Sequence, residues 1–266
     1  MSDRWVRRWV IGLVLAYLGA ILVVPLFSLL SVVVGAPDRA IEGLLRPEAI
    51  DALTRTLTVT AVVVVANVTM GVAAAWLVVR DPMRGRAALD ALLDLPLAVS
   101  PVMTGLSLLL LFGRNGWLAS PLASMGVVVP FQWPAILLAT LFVTLPFTAR
   151  EVILVLRELG TSQEEAAATL GATGWQTFWR VTLPNLRSAV ALGATLTAAR
   201  ALGEFGAVLV VGGAIRGRTQ TATTFIHTAM EERQEEAAYA MSLVLAFLAI
   251  LLLAALTALG RPRRSP

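Results

Sequence analysis

The stretch Gly160-Thr161-Ser162-Gln163-Glu164-Glu165-Ala166-Ala167-Ala168-Thr169-Leu170-Gly171, continued from Ala172 to Val181-Thr182-Leu183-Pro184, is a polar interlude between two long apolar runs. Ser162 has an N-cap side chain, and Glu165 lies three residues on, which predicts a capping box. Ala166, Ala167 and Ala168 favour helix, and Gly171 supplies a C-terminal stop. A second short helix is expected over Trp175–Arg180, before Pro184 opens the next apolar run in its first turn. Residues 157–187 therefore read as a compact helix-turn-helix knob.

What the knob projects from is set by the rest of the chain. Its 266 residues are 58% hydrophobic and 14% charged, with mean hydropathy +0.80. A soluble domain usually carries about 25% charged residues, so that class is poorly supported. Apolar runs at Val10–Val34, Leu57–Val79, Ala91–Phe112, Pro134–Ala149, Ala189–Val211 and Ala240–Leu259 give six candidate spans. Each approaches the roughly 20 residues that cross a hydrocarbon core; the fourth does so only by continuing through Val152–Leu156. No long polar segment is left over, so 1–266 reads as a single all-α transmembrane domain. The first run follows Arg4, Arg7 and Arg8 in the manner of a signal peptide. It is longer than an h-region of about 7–15 residues, so an uncleaved first helix is expected.

The charge pattern orients these spans. The net charge is +4, the pI is near 10.8, and all 21 basic residues are Arg. They sit in short clusters between apolar runs, not on one basic face, which argues against nucleic acid. One set of connections holds Arg4, Arg7, Arg8, Arg80, Arg84, Arg86, Arg150, Arg157, Arg180, Arg187, Arg261, Arg263 and Arg264. The other holds Arg39, Arg46, Arg55, Arg114, Arg216, Arg218 and Arg233. The positive-inside rule then expects a multi-pass protein of the cell membrane with both termini cytoplasmic.

Two absences limit the chemistry. With no Lys, the chain lacks the residue that reaches nucleotide phosphates in a P-loop, so ATP-driven work must come from a partner. With no Cys there is neither a disulfide framework nor a thiolate metal site. The single histidine, His227, reads as a solvated polar residue, and no metal is expected.

Charges inside the fifth span are unusual. Arg200 and Glu204 lie near its middle, where each charged group costs at least about 2.5–3.5 kcal/mol on insertion scales. Spacing i,i+4 puts them on one helix face, where they neutralise each other. Two readings stand: a buried pair that locks packing, or an Arg200 that offers positive potential to a passing oxyanion while Glu204 fixes it. Gly203 and Gly206 would admit a close neighbour. In the third span, Pro96, Pro101 and Gly105 imply a kink, either for packing or to line a conduction path. Ser100 and Thr104 are candidate donors to a dehydrated anion there.

The knob resembles a known loop. Glu165-Ala166-Ala167, then Gly171, then Val181-x-Leu183-Pro184 matches the E-A-A-x3-G-x9-I-x-L-P pattern of permease subunits of binding-protein-dependent ABC importers. In the fifth span, Arg200-Ala201-Leu202-Gly203-Glu204-Phe205-Gly206-Ala207 resembles a string of sulfate, thiosulfate and molybdate permeases. Phe112-Gly113-x-Asn115-Gly116-Trp117-Leu118, Phe142–Phe147, Gly174–Asn185 and Gly213-x-Ile215-Arg216-Gly217-x-Thr219 make it most similar to sulfate/thiosulfate permease subunits of the CysW type, over Ala52–Leu256. The resemblance implies the type I (MetI-like) permease fold and a transporter membrane subunit without catalytic residues or a cofactor of its own. It implies that Glu165, Ala166, Ala167, Gly171, Leu183 and Pro184 form the ATPase-coupling loop. It also implies a CysT-like second permease, a CysA-like dimer of ATP-binding subunits holding ATP and Mg, and an extracytoplasmic sulfate-binding protein. A molybdate or tungstate permease is the alternative cargo, and a passive channel, an ion-coupled transporter or an intramembrane enzyme are alternative classes; the last lacks a recognisable catalytic set. Where the family continues T-x-T-L-P-L, this chain has Thr219-Gln220-Thr221-Ala222-Thr223-Thr224-Phe225 and then Met230–Glu236. This external loop is expected to differ in how it meets the binding protein.

Overall fold

The computed structural model describes residues 2–260, with side chains from Trp5 to Ala255. The Arg4 side chain and Arg261, Arg263 and Arg264, which entered the charge count, lie outside the described residues. The chain is a run of helices: α1 (Ser2–Gly35), α2 (Pro37–Leu45), α3 (Pro47–Val79), α4 (Arg86–Ala98), α5 (Pro101–Phe112), α6 (Ala119–Ser124) and α7 (Trp133–Leu159). Then come α8 (Ser162–Thr169), α9 (Gly174–Thr177), a π turn (Phe178–Thr182), α10 (Leu183–Leu202), α11 (Gly206–Gly212), α12 (Ala222–Glu231) and α13 (Glu235–Gly260). No strand occurs among the described residues. Proline sets many of the starts: α2, α3, α5, α7 and α10 each carry Pro in the first two positions, where its missing N–H has no helical partner to lose.

Among the described residues, four helices are long and apolar enough to span a membrane: α1, α3, α7 and α13. Two bent helix pairs bring the count to six when each is taken as one broken span. The pair α4 and α5 bends by 111°, and the helix ending at Leu202 bends by 54° into α11. The count of about six holds, but neither the third nor the fifth span is one helix. In the third, Pro101 pushes Ser100 into extended conformation (φ −66°, ψ 148°), and α4 ends at Ala98, two residues earlier. Ser100 Oγ then accepts from the N–H of Met103 at 3.3 Å and caps α5. The second span starts ten residues before the apolar run, because Ala49 and Ala52 are buried against Phe225, Ala238 and Met241. The fourth does continue through Val152–Leu156, all the way to Leu159.

Helices α3 and α7 form a parallel spine. Val63 packs with Ile136, Asn67 Nδ2 donates to Thr144 Oγ1 (2.7 Å) and the Leu141 carbonyl (3.3 Å), and Gly71 lies against Thr148 and Ala149. Helix α10 crosses both antiparallel: Leu186 joins Val78 and Leu156, Thr197 meets Thr148 at 3.1 Å, and Ala201 joins Val63 and Ile136. Apolar attraction between helices is weak in lipid, so small residues and internal hydrogen bonds set such contacts. Helix α13 lies on α10, α2 and α12, while α1 touches mainly α13 and is otherwise exposed. The α3–α4 turn, the knob and the far end of α13 share one end of the bundle with the start of α1; α2, α6 and α12 close the other.

Candidate functional site

The knob is α8, the turn at Gly171, α9 and the π turn. Its first cap differs from the expected one. Ser162 is the first helical residue, and the N-cap is Thr161, whose hydroxyl donates to Glu165 Oε1 at 2.7 Å and takes no backbone N–H. A capping box does form, at the second helix. Thr173 Oγ1 accepts from the N–H of Gln176 (3.3 Å), and Gln176 Oε1 accepts from the N–H of Thr173 (2.9 Å). The T-x-x-Q spacing of Thr173 and Gln176 was the sequence signal for it. Gly171 ends α8 at φ +82°, where glycine is favoured. A Cβ there would meet nothing within 4 Å, so the requirement within this chain is conformational and not one of close approach.

The second helix is shorter than expected, and the chain winds through the π turn straight into α10. Pro184 sits in the first turn of α10, as expected, and lacks the N–H that would continue an α pattern. Leu183 N–H instead reaches the Phe178 carbonyl, five residues back.

Tip and root of the knob differ in environment. Leu170 is 88% exposed and Trp175 71%; Glu165, Ala166 and Gly171 also face solvent, and Ala167 is half-buried. At the root, Phe178 packs edge-on to Trp76 of α3 (5.4 Å) and against Trp175 and Trp179 (6.4 and 5.5 Å). Glu164 Oε2 lies 2.9 Å from Arg80 Nε, and Glu164 Oε1 accepts from Thr182 Oγ1 at 3.0 Å. Sequence reasoning missed this root. Its signal was three aromatics within five residues, 175–179, in a polar loop.

The second candidate region lies where the two broken spans meet. Helix α10 stops at Leu202, so Arg200 and Glu204 do not share a helix face; they bridge the break. Arg200 Nη1 is 2.7 Å from Glu204 Oε2, with side-chain exposures of 31% and 1%. The other Glu204 oxygen accepts from the N–H of Ala207 at 2.9 Å and caps α11, while Thr223 Oγ1 donates to the Glu204 carbonyl at 2.7 Å. Gly206 abuts Pro101 and Val102, and Gly105 abuts the Ala207 carbonyl and Val210, so α5 and α11 start side by side. The structure thus brings Ser100 and Thr104 to the break that holds Arg200 and Glu204. Ser100 is exposed, whereas Thr104 is 3% exposed and its hydroxyl donates to the Ser100 carbonyl at 3.3 Å.

The segment after α11 also differs from expectation. Thr219, Gln220, Thr221, Ala222 and Thr224 are buried in internal packing, whereas Met230, Glu231, Glu232 and Arg233 of the following stretch are exposed. Thr219 Oγ1 donates to the Gly212 carbonyl, and Thr56 Oγ1 accepts from the N–H of Ala222, which ties α12 to α3. His227 lies beside Phe205 (5.3 Å between ring centroids), with Nδ1 3.5 Å from Glu231. Among the described residues no cluster of metal-ligating side chains occurs.

The model of the family described as binding-protein-dependent transport system inner membrane component matches residues 67–264. The sulfate transport system permease protein CysW of Synechococcus elongatus is 44% identical over 239 residues, covering 88% of this chain and 82% of that protein. The sulfate transport system permease protein CysT of Escherichia coli strain K12 is 39% identical over 212 residues, covering 80% and 76%. In three dimensions the chain is similar to a bacterial ABC transporter involved in the import of the acidic polysaccharide alginate, with TM-score 0.81 over 98% of this chain and 96% of that one. At 18% identity that likeness shows the fold alone. Four long apolar helices, two bent helix pairs lying side by side, and a knob ahead of the second pair are thus the features of a chain that belongs to the binding-protein-dependent transport system inner membrane components.

Proposed function

We propose that this chain is one permease subunit of an ATP-driven importer of sulfate and thiosulfate. Residues 1–266 would serve as one membrane domain, with 157–187 as its ATPase-coupling loop. The observation that carries the reading is the knob: Leu170, Trp175 and Trp179 stand exposed on a loop whose base is tied by Glu164 to Arg80 and Thr182. Glu165, Ala166, Ala167 and Gly171 form the docking tip, and Leu183 and Pro184 start the span that receives its motion. A dimer of ATP-binding subunits, holding ATP and Mg, sits against that tip. The absence of lysine from this chain agrees with a motor located on a partner.

The knob end is the cytoplasmic one, with both termini on that side. Arg7, Arg8, Arg80, Arg84, Arg86, Arg157, Arg180 and Arg187 all lie toward it, and positive charge accumulates on the cytoplasmic side. The binding protein approaches the opposite end, where α2, α6 and α12 lie. A second, CysT-like permease completes the pathway. Sulfate carries two charges and a strong hydration shell, so the membrane interior must replace water with donors and positive potential. Arg200, one third exposed and held by Glu204, supplies the potential, and the Ser100 hydroxyl a donor. Thr104 contributes by holding the bend, since its hydroxyl is already engaged.

The names of the relatives favour sulfate over molybdate as cargo. Reconstituted with its partners and with ATP on the knob side, the complex is expected to take up labelled sulfate saturably, with inhibition by thiosulfate. Uptake without ATP, or stronger competition by molybdate than by unlabelled sulfate, would overturn the reading.

A further inference from the structure

The root of the knob converges on one guanidinium. Arg80 directly follows α3, its N–H bonded to the Trp76 carbonyl, and its side chain is only 10% exposed. Its Nε lies 2.9 Å from Glu164 Oε2, in the first turn of α8. Its Nη2 donates to the Gly160 carbonyl at 2.6 Å, where α7 ends. The remaining Glu164 oxygen accepts from Thr182, which is 2% exposed and lies in the turn that becomes α10. One guanidinium and one carboxylate thus join α8 to three core spans. The Gly160 hydrogen bond orients the planar guanidinium, and the Glu164 carboxylate lies against its Nε edge as an ion pair in a buried setting, where opposite charges attract more strongly than in water.

The neighbouring carboxylate is placed differently. Glu165 points to solvent and accepts from the Thr161 hydroxyl at 2.7 Å. The two adjacent glutamates therefore face opposite ways, one into the root and one outward at the tip. We propose that Arg80 and Glu164 are positioning residues that make the knob move as one body with α3, α7 and α10. A push on the tip by the ATPase then becomes a displacement of the spans that flank the two breaks. This rests on the importer reading above and adds to it the element that transmits, as distinct from the tip that docks.

The test uses the complete transporter in lipid nanodiscs, with sulfate-loaded binding protein as the stimulus. Variants are Arg80→Met, Glu164→Gln, the milder Thr182→Val, and the exchange Arg80→Glu with Glu164→Arg. The single Arg80 and Glu164 variants are expected to retain the ATPase subunits on purification and a basal ATPase rate within twofold of the parent. Their stimulation by binding protein is expected to fall at least fivefold, with Thr182→Val intermediate. The exchange should recover at least threefold over the worse single variant, because the ion pair returns while the Gly160 and Thr182 contacts do not. A merely structural pair would lower assembly and basal rate together and leave the stimulation ratio unchanged, which overturns the proposal. Loss of the ATPase subunits from the single variants, or an exchange no better than they are, overturns it as well. Absence of ATPase subunits from the parent complex is a different failure: it overturns the importer reading and this inference with it. Because the chain has no cysteine, Leu170→Cys and Val65→Cys accept spin labels on the parent sequence. Their distance distribution should at least double in width in Arg80→Met, and an unchanged width overturns the proposal even where transport cannot be measured.

Discussion

Arg200 and Glu204 form a 2.7 Å ion pair across a helix break, with the carboxylate buried and the guanidinium partly open to its surroundings. The two members therefore have unequal duties. Glu204 also accepts the Ala207 N–H, so it holds α11 in place, and Arg200 neutralises it. Removing Arg200 alone leaves a buried carboxylate uncompensated, a loss of about 3–5 kcal/mol for such groups. Arg200→Ala is expected to lower the yield of assembled transporter in detergent sharply. Arg200→Ala with Glu204→Gln should restore the yield, because the amide oxygen of the substituted side chain still accepts from Ala207 without carrying charge. Sulfate uptake by the double variant is expected to stay at least tenfold below the parent. Full recovery of uptake with assembly would show that Arg200 serves the fold alone.

At the knob tip the expected effects separate into two kinds. Gly171 at φ +82° has open space around it, so Gly171→Ala meets only backbone strain of about 1–2 kcal/mol. Within this chain Gly171→Trp should add little to that. A much larger loss of co-purifying ATPase subunits with Trp than with Ala would measure the closeness of a docked partner. Glu165→Lys, which reverses the exposed charge, is expected to uncouple ATP hydrolysis from uptake with membrane insertion intact. Normal sulfate uptake by Glu165→Lys would sink the docking role.

The spans and the knob were legible because hydropathy and helix signals are local. Residues 134–149 and 152–156 carried enough apolar character to be joined, and α7 joins them. The breaks were less legible. Pro101 announced a disturbance, but a bend of 111° depends on Gly105 meeting Ala207 and Val210 of a helix a hundred residues away. The fifth span read as continuous because Arg200 and Glu204 have the spacing of a helical pair. What ends α10 is Glu204 turning to cap α11, held by Thr223 from another element, and such tertiary contacts leave no periodicity. The Thr219–Thr224 segment misled for a related reason. Polar residues suggest a surface, yet these threonines bond backbone groups inside.

Glycine positions give a contrast inside a single chain. A Cβ on Gly193 would lie 2.7 Å from the Thr148 Cα, and backbone cannot yield as a flexible side chain does. Overpacking of this sort costs about 1–3 kcal/mol. Gly193→Ala is expected to lower the thermal midpoint of the detergent-solubilised complex by several degrees. Gly12→Ala on the exposed α1 has nothing within 4 Å and should leave the midpoint unchanged or slightly raised. Equal midpoints for the two variants would contradict the tight crossing of α10 over α7.

A cluster of charges fastens α4 to α7 toward the knob end. Arg150 Nε lies 2.6 Å from Asp94 Oδ1, and its other nitrogens reach Asp90 Oδ1 (2.5 Å) and the Asp90 carbonyl (2.7 Å). Arg157 adds a contact to Asp90 Oδ2 at 3.2 Å. The carboxylates are 30% and 55% exposed, so solvent and salt screen them, and each pair is worth about 1 kcal/mol or less. The effect of losing them is local: α4 lies on the knob side of its break, and beyond these charges it is anchored through Leu89 and Leu93 against α3 and α7. Asp90→Asn is expected to speed proteolytic cleavage in the Arg80–Arg86 connection two- to fivefold at low salt, with the difference shrinking at 1 M salt. Asp81→Asn, in the same connection and outside the cluster, should leave the cleavage rate near that of the parent. A salt-independent difference, or equal acceleration by both variants, would mean that the arginines do not hold α4 in place.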